Sequence, residues 1–193
     1  MRDADQRNKP GEIPLVPFFF LRHGETDWNR RGLLQGSRDI PLNETGLAQA
    51  HAAVDALRSV EIAAIVASPL LRARRTAEIV AAARGLDIAF EPALAETHWG
   101  AREGTPEGGL LREWYEGDTP AGAEPFREFC TRIAGAVARA LAHQAPVLIV
   151  AHGGSFAALR ETLGLPRAAT LANAVPVQLV PGPWRISATL GKH

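Results

Sequence analysis

Unbroken apolar runs occupy residues 18–21, 62–67 and 147–150, and a less regular one covers 175–180. Such runs suit strands covered on both faces rather than strands with one wet side. Pro176 confines the last run to an edge strand or to a strand that starts there. A short strand is also expected at 88–90. Between the runs, apolar residues recur at helical spacing. Leu47, Ala50, Val54 and Leu57 form one stripe, with Asn43 or Thr45 placed to cap it. Ser68 and Pro69 predict the N-cap and first turn of a second helix that Gly85 ends. Phe126, Phe129, Ile133, Val137 and Leu141 form a third stripe with Pro125 at its first turn. Residues 155–163 form a fourth, closed by Gly164 and Pro166. Strands buried on both faces and alternating with helices predict an α/β fold: a three-layer sandwich with a mainly parallel central sheet flanked by helices.

At 193 residues and 46% hydrophobic content, the chain has the size for one core and one domain, expected over 15–193. Residues 1–14 are mostly polar and predict a disordered tail. The 21 basic and 21 acidic residues cancel, so no global field favours nucleic acid or an anionic membrane as partner. Arginines outnumber lysines 19 to 2; an arginine therefore has to be argued from its position. Cys130 is the only cysteine, which excludes an internal disulfide and fits a reducing compartment. With no signal core and no apolar run near the roughly 18 residues of a membrane span, a soluble, cytoplasmic protein is expected. No exposed strand or apolar stripe points to an oligomer.

Two of the runs end alike, in FFFLRHG and VLIVAHG. In a parallel sheet, ligands bind beyond the carboxyl ends of the strands, so His23 and His152 are expected at one crevice. Gly24, Gly153 and Gly154 then allow tight turns and close backbone approach. Arg22 precedes the first histidine, and Arg72 falls in the first turn of the helix leaving a third strand end. Two guanidiniums and two imidazoles make a cationic pocket in a neutral protein, suited to a phosphoryl group. One imidazole nitrogen can attack phosphorus if the other is held by a hydrogen bond, and the second histidine, protonated, can donate to a phosphoryl oxygen. Glu96, just past the short strand, is the candidate that protonates the leaving oxygen and then activates water.

Taken together, RHGETDWN, LQGSRDIPLNETGLAQA, SPLLRARRTAE, LAETHWGAREG and VAHGG resemble the histidine phosphatase superfamily, the phosphoglycerate mutase-like proteins. The likeness runs in order from residue 18 to about 165. It implies a phosphohistidine on His23, phosphate contacts from Arg22, Arg72 and His152, and Glu96 as proton donor. It further implies that Asn29 contacts phosphate, that Gln35, Gly36 and Gly153 line the pocket, and that no metal or organic cofactor is required. Ala123, Glu124 and Pro125 stand where the family often has Gly-Glu-Ser, a change at a helix start. Only 27 residues separate Glu96 from Glu124, where the mutases carry a longer insertion that retains phosphoglycerate. A shorter lid favours hydrolysis of a small-molecule phosphate monoester, its identity set by residues 98–119.

Other readings stay open: a phosphoglycerate mutase, a non-catalytic phosphoryl-binding module, or a hydrolytic zinc site of His23, His152 and Glu96. Arg22 and Arg72 oppose the last, because cations repel a dication. His51, His143, Arg74 and Arg75 are expected at the surface. Trp28 is expected to pack. Trp99, Trp114 and Tyr115 divide between pocket wall and core. Glu103 suits a turn or a supporting contact, and His98 is unassigned.

Overall fold

The computed structural model describes residues 12–189. It contains a six-stranded sheet in the order β3-β2-β4-β1-β5-β6. The strands are β1 Phe18–Arg22, β2 Ala64–Ala67, β3 Ile88–Phe90, β4 Val147–Ala151, β5 Val177–Val180 and β6 Arg185–Thr189. β1, β4, β2 and β3 run parallel, whereas β5 pairs antiparallel with β1 and with β6. The sheet is therefore mixed, with a parallel centre, and Pro176 stands just ahead of β5 as its missing N–H requires.

The helices are α1 Asp27–Arg30, α2 Glu44–Ala56, α3 Leu71–Arg84, α4 Leu110–Glu116, α5 Phe126–Ala140 and α6 Gly153–Thr162. Side chains alternate across each central strand, and both faces are covered. Phe18, Phe20, Val147 and Ile149 pack with Phe129, Ile133 and Phe156. Phe19, Leu21, Leu148 and Val150 pack with Ala53, Leu57, Ala77 and Val80 on the other side. Three layers result, and the strands read as continuous apolar runs because neither face meets water.

Four local expectations need correction. Ser68 and Pro69 do not open α3; its N-cap is Leu70, without a side-chain cap. Asp39 instead accepts from the Leu71 N–H at 2.5 Å, so a distant loop supplies the acceptor and Ser68 is released for another role. Pro125 is the N-cap of α5 rather than part of its first turn. β6 was not expected, because Arg185, Ile186 and Ser187 carry no apolar run and β6 pairs only with β5, at the sheet edge. Of the expected 1–14 tail, residues 1–11 lie outside the described residues, while Ile13 is buried in the core at 6% exposure. Packed chain therefore begins at least that early.

Candidate active site

Strand register places the site. Arg22 pairs with Ala151 across β1 and β4, and Ala67 pairs with Val150 across β2 and β4. The next residue of each strand, His23, His152 and Ser68, therefore leaves the sheet beside the others. The imidazoles stand 5.3 Å apart, centroid to centroid. Ser68 Oγ lies 2.7 Å from His152 Nε2, the role its absence from the helix cap leaves open.

His23 is 3% exposed, and its Nδ1 lies 2.7 Å from the Gly24 carbonyl. A carbonyl only accepts, so Nδ1 carries the hydrogen and Nε2 keeps its lone pair. Burial first, then the charges of Arg72 and Arg22, holds His23 well below the ordinary histidine range. The neutral ring is favoured, with its free lone pair on Nε2. The turn behind it is tight: a Cβ on Gly24 would sit 2.3 Å from the Gly46 carbonyl oxygen. Thr76 Oγ1 accepts from Gly24 N–H at 3.0 Å, and Asn173 donates to the His23 carbonyl at 2.9 Å.

His152 is completely buried and held well below the ordinary range by burial, Arg72 and His23. These causes work against the protonated second histidine that the sequence predicts. Ser68 Oγ accepts from Leu70 N–H at 3.3 Å, and we assign its O–H as the donor to Nε2. Nδ1 is then the protonated nitrogen of His152, and it has no partner.

The guanidiniums are anchored and partly unspent. Arg72 donates to the carbonyls of Arg38 at 2.7 Å and Gly36 at 2.9 Å, and Arg22 donates to the Leu171 carbonyl at 3.0 Å. Burial lowers Arg72 to about 10 against the pull of Glu96 and Asp39, so it is still a cation at neutral pH. Among the described residues, five buried side-chain polar atoms lack a hydrogen-bond partner, and Arg22 Nε, Arg72 Nε and His152 Nδ1 are three of them. Buried donors are normally satisfied. Three orphans around one histidine mark a cradle for an anion.

Glu96 accepts from Thr97 N–H at 3.0 Å and Gly154 N–H at 2.9 Å. Burial raises its pKa, opposed by the Gly154 N–H and by Arg72. Desolvation wins, and the carboxyl is biased toward its protonated form. A Cβ on Gly154 would lie 2.2 Å from Glu96 Oε1 and 2.9 Å from its carboxyl carbon. Gly154→Ala is therefore expected to move the carboxyl, lowering kcat by about 10- to 100-fold. The melting temperature should stay within a few degrees, because alanine is the better helix former and the displaced group is the end of a flexible chain. Steady-state kinetics beside a melting curve check this, and unchanged kcat would show that the carboxyl position does not matter.

A cavity of about 350 Å3 is lined by Arg22, His23, Asn29, Gln35, Gly36, Arg72, Glu96 and Gly153. His152, fully buried, adjoins this wall beside His23. Asn29 Oδ1 accepts from Thr26 N–H at 3.2 Å and Gln35 Oε1 accepts from Thr26 Oγ1 at 3.0 Å, which leaves each amide's NH2 end as the donor. Trp99 and Tyr115 line the cavity as well, whereas Trp114 is fully buried in the core. His51, His98, His143, Arg74 and Arg75 are exposed. Trp28 packs over Gly104, its ring 3.0 Å from where a Cβ would be. Among the described residues, no group of three or more His, Cys, Asp or Glu could hold a metal ion.

Supporting residues escaped the sequence reading. Arg132 holds the Glu96 turn by donating to the carbonyls of Ala93 at 2.8 Å and Ala95 at 2.9 Å, and it pairs with Glu124 at 2.6 Å. Glu103 Oε1 accepts from Ser37 N–H and Oγ, each at 2.8 Å, and its other oxygen pairs with Arg38 at 3.0 Å. That fixes the loop whose carbonyls orient Arg72. Only Glu103 carried a signal, its place in a recognisable segment. Arg132 could not be separated from a helix-face arginine.

Comparison with known proteins agrees with this geometry. Residues 18–177 match the model of the histidine phosphatase superfamily, branch 1. A "probable phosphoglycerate mutase GpmB" of Photorhabdus laumondii is 37% identical over 165 residues, 79% of this chain and 77% of that protein. A mycobacterial glucosyl-3-phosphoglycerate phosphatase solved with VO3 superposes with a TM-score of 0.80 at 32% identity, covering 92% of this chain and 100% of that one. The same phosphatase with inorganic phosphate gives 0.76 at 31% identity, over 90% and 96%. With its two strand-end imidazoles, its anchored guanidiniums and its matching sequence, this chain belongs to the histidine phosphatase superfamily.

Proposed function

We propose that this chain is a phosphomonoester hydrolase that works through a covalent phosphohistidine on His23, without metal or organic cofactor. Its substrate is a small-molecule phosphate monoester. The observation that carries the reading is the locked tautomer of His23 beside unsatisfied donors on Arg22, Arg72 and His152.

In the first step the Nε2 lone pair attacks phosphorus, an N–P bond forms and the P–O bond to the leaving group breaks. Glu96 gives its proton to the departing oxygen and becomes a carboxylate. Arg22, Arg72 and the His152 Nδ1–H bind the equatorial oxygens, where charge accumulates, with Asn29 donating from its amide. In the second step Glu96 takes a proton from water as the water attacks phosphorus. The N–P electron pair returns to Nε2 and orthophosphate leaves. Gln35, Gly36 and Gly153 shape the wall around these groups.

Hydrolysis is preferred over mutase chemistry because the segment between Glu96 and Glu124 is short and pinned. Trp114 Nε1 donates to the Glu124 carbonyl at 2.7 Å, and its ring packs against Trp99, Phe126 and Phe129. The one observation on the other side is the mutase name of the curated relative. Phosphate release measured beside phosphoglycerate isomerisation on one sample decides between them, and isomerisation dominating reverses the choice. With Cys130 as the single cysteine no internal disulfide forms, in keeping with a cytoplasmic setting. For the mechanism itself, rapid quench during turnover should trap an acid-labile, base-stable phosphoprotein. Turnover at the full rate with no such species contradicts it.

A further inference from the structure

Arg160 is a buried cation that the chemistry above leaves unused. It sits in the last turn of α6, is 9% exposed, and lines the same cavity as His23. A charge removed from water normally keeps a counter-ion. The half-buried Arg132 follows that rule, pairing with Glu124 at 2.6 Å. Arg160 belongs to no ion pair among the described residues. Glu107, on the same wall, instead accepts from the Leu111 N–H at 2.9 Å.

Only three arginines among the described residues have a buried Nε without a partner, namely Arg22, Arg72 and Arg160, and all three line this cavity. Two are accounted for by the phosphoryl group. The third has spent Nη1 on the carbonyls of Arg167 at 2.8 Å and Ala169 at 3.2 Å. What remains is the Nε edge, which suits the two oxygens of a carboxylate. The guanidinium carbon stands 5.6 Å from the Tyr115 ring centroid. Space is adequate as well: at about 30 Å3 per water-sized group, a cavity of about 350 Å3 is less than half filled by a phosphoryl group.

We propose that Arg160, with Tyr115 beside it, binds a carboxylate on the leaving group, so that the enzyme selects small phosphorylated carboxylic acids over uncharged monoesters. This rests on the hydrolase reading of the same site. The test uses three substrates of one chain length: the phosphate ester of 3-hydroxypropanoate, 3-hydroxypropyl phosphate and propane-1,3-diyl bisphosphate. Wild type should favour the acid over the alcohol by about 10- to 100-fold in kcat/KM. Arg160→Met should bring that ratio close to one, mainly through KM, and Arg160→Lys should retain part of it. If Arg160 only ties down residues 167–169, both substrates weaken together and the unmoved ratio overturns the proposal. A wild-type enzyme with no preference for the acid overturns it too, while leaving the hydrolase reading intact. So does a preference for the bisphosphate that Arg160→Met abolishes, which would assign the subsite to a second phosphate. Should wild type hydrolyse none of the three, the hydrolase reading fails. Calorimetric binding of the acid and the alcohol then decides the subsite alone: a tenfold loss confined to the acid in Arg160→Met supports it, and equal loss for both refutes it.

Discussion

Replacing His23 by alanine lowers kcat/KM for a phosphate monoester by about 10^4-fold or more, because no other group can take its place as nucleophile. His152 is the nearest imidazole, 5.3 Å away between centroids. Its Nε2 accepts from Ser68 and its Nδ1 carries the hydrogen, so neither nitrogen offers a lone pair to phosphorus. Water entering the vacated space would lack the aligned lone pair that the Gly24 carbonyl maintains on Nε2. The variant should remain folded: the loop is also held by Thr76 on Gly24 N–H and by Asn173 on the backbone carbonyl, which the substitution leaves in place. It should still bind inorganic phosphate, since Arg22 and Arg72 keep their anchors. Kinetics, phosphate binding and a melting curve on one preparation check the prediction. Residual activity within tenfold of wild type would mean that His23 is not the nucleophile.

Glu96→Gln lowers kcat by about 10^2- to 10^4-fold for substrates whose alcohols leave poorly, and it changes the pH profile in a defined direction. The proposed mechanism requires a free enzyme with His23 neutral and Glu96 protonated. His23 is held below the ordinary histidine range by burial, Arg72 and Arg22, so kcat/KM rises with pH through a limb lying below that range. Glu96 is raised by burial, so kcat/KM falls as pH climbs past that raised value. In the substrate complex the phosphoryl dianion disfavours the neighbouring carboxylate further, placing the falling limb of kcat at higher pH than that of kcat/KM. Glutamine should erase the falling limb. In kcat/KM it should also cost much less with an aryl phosphate, whose phenol departs as the anion, while kcat keeps the loss of the base that activates water. Retention of the wild-type falling limb in the variant would assign it to another group.

Much of the architecture was legible in the chain because the central strands are buried twice over. Phe18 to Leu21 and Val147 to Val150 are apolar at every position since each face meets its own helical layer, and that constraint is visible without knowing the partners. β6 was not legible, because an edge strand needs only half the apolar content and a neighbour to pair with. The start of α3 misled for a related reason. Ser68 and Pro69 satisfy the local rule for a helix start, yet the acceptor for Leu71 comes from Asp39, 32 positions away. A distant carboxylate overrode the local signal and freed the serine for His152.

Within the site, the amino-acid order alone identified the residue types that phosphoryl chemistry uses and the strand ends that carry them, because strand-end position follows from local patterning. Which nitrogen of each histidine is free, which arginine nitrogens are unspent, and how strongly burial biases Glu96 all depend on partners far along the chain: Ser68 for His152, Gly36 and Arg38 for Arg72, Gly154 for Glu96. Arg132, Glu103 and Arg160 take their meaning wholly from such contacts. Hydrogen bonding and desolvation are properties of neighbourhoods, and folding alone creates those neighbourhoods.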